Sequence, residues 1–92
     1  MKPIAIDSET YAIFLEVPHA QVVALQARFE IYEGLATVRT VDKGFSLVSV
    51  VTTASLLPEC VAALQAAKSE IQWRELEDES RFEEFLAPLR EA

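Results

Sequence analysis

Two runs rich in β-branched residues, "ATVRTVD" (36–42) and "FSLVSVVTT" (45–53), are separated only by Lys43 and Gly44. β-Branched side chains fit a pleated strand better than a helix. Asp42, Lys43 and Gly44 make a three-residue connection ending in glycine, which suits a type I turn with a glycine bulge. Two antiparallel strands, adjacent in sequence, are therefore the least negotiable part of any fold this chain adopts.

The flanking segments extend the pattern. "YAIFLEV" (11–17) alternates, with apolar residues on both faces, and reads as a central strand. Pro18 ends it and is tolerated in the first turn of a helix. Val22, Leu25, Phe29 and Tyr32 then recur at steps of three, four and three, one helical stripe closed by Gly34. Leu35 follows where a closing contact with Phe29 is expected. "SLLPECVAALQAAKSE" predicts a second helix, capped by Ser55, with Pro58 in its first turn and a stripe of Leu57, Val61 and Leu64. "IQWREL" (71–76) predicts a short fourth strand. The order strand, helix, strand, strand, helix, strand defines an α+β, ferredoxin-like sandwich, a four-stranded antiparallel sheet with two helices on one face. A C-terminal helix is added. Ser80 and Glu83 have capping-box spacing, Phe82, Phe85, Leu86 and Leu89 form its stripe, and Pro88 ends or kinks it. The chain of 92 residues is then one domain: an arm (1–10), a core (11–77) and the helix (78–92).

"YEGLATVRTVDKG" (32–44), with a helix before it and apolar strand residues after it, resembles the small bacterial proteins of the domain-of-unknown-function 4911 family. Glu33-Gly34, Val38-Arg39-Thr40 and Asp42 carry the resemblance, which spans about residues 11 to 72. It implies a compact α+β domain and no activity. The architecture also looks like the ACT regulatory domains, which bind small effectors at strand–helix junctions and subunit interfaces. Those domains often have a glycine- and Asp/Asn-rich loop after the first strand, where this chain has Pro18-His19.

Charge narrows the partners. Fifteen acids face eight scattered bases, a formal net charge of −7. Nucleic acid and anionic membranes require clustered Lys and Arg, so neither is expected. No apolar run approaches the roughly 20 residues that span a bilayer. A single cysteine, Cys60, permits no internal disulfide. The N-terminus lacks the pattern of a secretory signal, and a cytoplasmic location is expected.

Catalytic chemistry finds little support. His19 has no nucleophile beside it in sequence, and Cys60 has no adjacent cation. One His and one Cys are too few for a protein-only metal site, and "ELEDES" (75–80) is too short for a calcium loop, so no metal or cofactor is expected. Glu30 and Glu33 sit in the last helical turn, where acids oppose the helix dipole. An ion pair with Arg39 is the expected compensation. The competing reading leaves Gly34, Arg39 and Thr40 as an anion or small-metabolite site.

The second sheet face holds the strongest functional hint. Ala12, Phe14 and Glu16 share one face of the first strand while Ile13, Leu15 and Val17 share the other; Val48 and Val50 oppose Phe45, Leu47 and Val51. A two-layer fold would leave one face polar. Either the C-terminal helix or a second subunit must cover it. The function expected is a non-catalytic interaction or regulatory domain that self-associates or docks on a protein, with Phe14, Val48, Val50, Trp73, Phe82 and Phe85 as contacts. The alternative is an ACT-like ligand-binding module.

Overall fold

The computed structural model describes residues 1–42, 46–77 and 82–91. Among these residues the order is β1 (Ile4–Ala5), β2 (Thr10–Glu16), a turn of 3-10 helix (His19–Gln21), α1 (Val22–Glu30), β3 (Thr37–Asp42), β4 (Leu47–Thr53), α2 (Leu57–Ala67), β5 (Arg74–Glu75) and α3 (Phe82–Glu91). This is a mixed α+β fold built on one open antiparallel sheet.

β2 is central, as its two-sided apolar pattern requires. β4 pairs along its whole length, from Thr10↔Thr53 to Glu16↔Leu47. β1 and β5 share its other edge, at Tyr11–Ala12 and Leu15–Glu16 respectively. β3 pairs with β4, so the strands of the core lie in the order β5-β2-β4-β3. β1 was not expected: its two residues are too few to show alternation, and they turn the four-stranded sheet into one of five.

The hairpin is antiparallel, but its details differ from expectation. Asp42 pairs with Leu47, and the register shifts between Thr40 and Asp42, which places an irregularity at Val41. β4 therefore begins at Leu47, two residues beyond the expected start at Phe45. Ser46 adopts φ 55° and its carbonyl accepts from Val17 N–H at 3.0 Å. Gly44 and Phe45 lie outside the described residues.

Gly34 does what its position predicts. Its φ is +73°, the left-handed region that side chains resist. The chain turns there, and Leu35 N–H bonds the Tyr32 carbonyl at 3.1 Å. Leu35 then enters the same core cluster as Phe29.

α2 departs from expectation at both ends. Ser55 is not its cap. Thr53 Oγ1 instead accepts the Leu56 N–H at 3.3 Å, with Ser55 Oγ 3.2 Å from it. The buried stripe is Cys60, Ala63, Leu64 and Ala67, while Leu57 and Val61 are half-buried. Leu64 faces the core as expected, joined by the small residues Cys60, Ala63 and Ala67 in place of Leu57 and Val61. At the C-terminus every orphan carbonyl finds a donor, as buried helix ends require. Trp73 Nε1–H caps Leu64 at 2.8 Å, and Ser69 Oγ donates to Ala66 at 3.2 Å. Backbone N–H groups of Lys68, Glu70 and Ile71 serve Gln65 and Ala67.

Two cores result, one on each sheet face. Ile13, Leu15, Val17, Val48 and Val50 pack beneath Val22, Leu25 and Phe29 of α1 and Cys60 and Leu64 of α2. Ala12, Phe14, Leu47 and Leu76 pack beneath Phe85 and Leu86 of α3. The chain's own C-terminal helix covers the second face. α3 also runs through Pro88 to Glu91 instead of ending there. The expected capping box begins at Ser80, outside the described residues.

Candidate functional site

α1 and α2 lie on the same sheet face, and the segment that follows α2 is tied to both ends of α1. Gln72 N–H donates to Gln21 Oε1 at 2.8 Å, and Arg28 pairs with Glu70 at 2.7 Å. The segment after α1 (Tyr32, Leu35), Leu56 and one side of α2 (Ala62, Ala63, Ala66) line a groove of about 550 Å³. The alanines explain it: side chains one carbon long cannot reach across. Glu33 and Glu59 also line the groove, and among the described residues no Lys or Arg does. Tyr32 is 40% exposed and Ile31, just before it, 79%.

The acids at the C-terminal end of α1 lack compensation. Arg28 is the one basic residue in the last turn of α1, and Glu70 occupies it. Among the described residues Glu30, Glu33 and Glu59 make no ion pair. The expected pairing of Glu30 or Glu33 with Arg39 does not form, and strand geometry gives the reason. Gln26 of α1 reaches the Val38 carbonyl, and Val38 packs against the α1–α2 core. Arg39, one residue on, points to the opposite face. The sheet stands between it and α1.

Arg39 is exposed and lines a smaller cleft, of about 330 Å³, between the β3–β4 hairpin and α3. Its cross-strand neighbour Ser49 is buried in the same cleft, with Thr40, Val41, Glu84, Phe85 and Leu89. Thr40 also lines a cleft of about 290 Å³ on the other face, beside exposed His19 and half-buried Gln26. Gly34 lines neither, and a Cβ placed on it would meet open space. Of the expected trio, Arg39 and Thr40 are brought together and Gly34 is not.

The expected partner contacts are spent inside the chain. Val48 and Val50 are fully buried under α1 and α2. Phe14 packs on Phe85 with ring centroids 5.7 Å apart. Trp73 is 4% exposed, with the Lys68 ammonium 4.2 Å from its ring centroid. None of these five presents a surface to another molecule: strand alternation directs Phe14, Val48 and Val50 into one of the two cores, and Trp73 and Phe85 pack into them from outside the strands. The Phe82 side chain lies outside the described ones.

Cys60 is sealed in the helix-side core while His19 is exposed, so they form no thiol–imidazole pair. Burial pushes the Cys60 thiol up to about 11 from its ordinary 9.0, opposed in part by a hydrogen bond with the Thr52 side chain. The folded state therefore holds this proton more tightly than the unfolded state. The associated stability is intact below pH 9 and is lost as pH rises through about 11, roughly 3 kcal/mol in all. Urea melts between pH 8 and 11 should show this fall, and Cys60→Ala should flatten it. A thiol reagent at pH 8 should label only the unfolded protein.

Among the described residues no three His, Cys, Asp or Glu side chains are grouped to hold a metal ion. No helix among them is long and apolar enough to cross a membrane. Comparison with family models, curated proteins and solved structures returned no match.

Proposed function

We propose that the chain is a non-catalytic interaction domain that docks a protein partner in the groove between α2 and the segment after α1. One observation carries this reading. The apolar groove stays open on the helix side, while the chain closes the opposite sheet face with its own α3. Exposed apolar hollows rimmed by polar groups mark interaction sites. We read the β5-β2-β4-β3 order as ferredoxin-like, with β1 and α3 as additions. The net charge of −7 directs the domain toward proteins and away from nucleic acid, and a single reduced cysteine suits the cytoplasm. Self-association through the groove is disfavoured, since a second copy brings the same acids. Membership of the domain-of-unknown-function 4911 family would add no activity to this reading.

The test uses Ala62, exposed on α2 and at the groove wall. Ala62→Arg should fold normally and lose a protein that wild type retains in pull-downs from native cells. The same proteins on both, or on neither, would contradict docking through the groove.

The second reading is an ACT-like module holding a small carboxylate or other anion in the Arg39 cleft. It is favoured by one observation: among the described residues Arg39 has no ion pair. A thermal-shift screen with small carboxylates decides it. Stabilisation of wild type that vanishes in Arg39→Ala supports the site, and equal shifts in both proteins exclude it.

A further inference from the structure

The docking reading leaves the partner's chemistry open, and the acids at the groove narrow it. Glu33, which lines the groove, and Glu30, which lies outside its lining, stand at the C-terminal end of α1, where a negative charge opposes the helix dipole. Nothing among the described residues neutralises them: Arg28 is held by Glu70, and Arg39 lies on the other side of the sheet. Glu59 stands across the groove in the first turn of α2, where the dipole favours it. Two of the three acids therefore break a local rule of helix stability without internal compensation. Such violations are expected at functional positions.

Between these acids the groove wall is apolar and shallow in side-chain depth. Ala62 and Ala66 are one helical turn apart and both exposed. Alanine at successive turns lets another backbone approach closely, and α2 forms one wall of the groove while the segment after α1 forms the other. A third helix, laid along the groove on its apolar face, would complete the layer. Its flanks would meet carboxylates on both sides.

We infer that the groove takes a basic amphipathic helix, one whose apolar stripe faces Tyr32, Leu35 and Ala62 and whose lysines or arginines flank that stripe. This rests on the docking reading and goes one step past it. Charge complementarity selects the partner: a neutral helix leaves the acids uncompensated, and an acidic one is repelled.

Three synthetic helical peptides with one leucine face, and with lysine, glutamine or glutamate on the other, test this by fluorescence anisotropy against the full chain. The lysine peptide should bind about tenfold tighter than the glutamine peptide, and its affinity should fall with salt. The glutamate peptide should not bind. The triple variant Glu30→Gln, Glu33→Gln, Glu59→Gln should melt no lower than wild type yet lose the lysine preference. Ala62→Gln should weaken the lysine peptide by obstructing the wall. Equal binding of the lysine and glutamine peptides, lost in Ala62→Gln, would overturn the basic partner and leave docking intact. Binding unaffected by Ala62→Gln would place the contact elsewhere and overturn the inference. Failure of all three peptides would also overturn it, and the docking reading would then stand or fall on the Ala62→Arg comparison.

Discussion

Phe85→Ala lowers the free energy of unfolding by about 3–5 kcal/mol. Phe85 is 6% exposed and anchors α3 on the sheet. Its ring meets Phe14 at a tilt of 46°, an arrangement that adds about 0.5–1.5 kcal/mol to simple burial. The second core is small: Ala12, Phe14, Leu47, Leu76 and Leu86 are its other buried members. Removing the largest described side chain of α3 leaves too little to hold that helix. A domain of this size has about 5–14 kcal/mol in total, so the loss is a large fraction. Guanidinium melts measure it directly, and enhanced binding of an apolar dye should accompany it as Phe14 and Leu47 become wet. If unfolding were unchanged, α3 would not be the cover of this face.

Trp73→Ala should cost a similar amount, about 3–5 kcal/mol, for a different reason. Its ring fills the helix-side core beside Leu64, and its Nε1–H caps the Leu64 carbonyl at the end of α2. Trp73→Phe separates the two contributions. It keeps much of the buried area but withdraws the donor, so it should cost about 1–3 kcal/mol. Lys68 above the ring adds a contribution of about 0.5–1 kcal/mol at its exposed site. As the sole tryptophan, Trp73 also reports on itself. Native emission should be blue-shifted and shielded from iodide. Full quenching in the native state would place the ring at a surface, as a partner anchor would require.

Strands and helices were legible because their apolar periods are strong. "YAIFLEV" announced a central strand, and the two β-branched runs announced a hairpin. The two-sided apolar sheet also required a cover, and Phe85 and Leu86 belong to it. The groove was not legible. A search for large apolar stripes on α2 picks Leu57, Val61 and Leu64, whereas the empty space is made by Ala62, Ala63 and Ala66, whose smallness carries no signal. The cap from Trp73 to Leu64 escapes sequence reasoning because it joins a side chain to a backbone group across a turn. The Arg39 error was avoidable. Period two applied to Val38 places Arg39 on the far face from α1, so proximity in sequence misled where alternation would not have.

The central claim is that the exposed working surface is the groove between α2 and the segment after α1 and that the α3 face is internal. Amide chemical-shift mapping during titration with the lysine-faced helical peptide tests it most directly. The account predicts saturable shifts at Tyr32, Leu35, Ala62 and Ala66, with Phe85 and Leu86 unmoved. Shifts centred on α3 and the Arg39 cleft, or no saturable shifts at all, would contradict it.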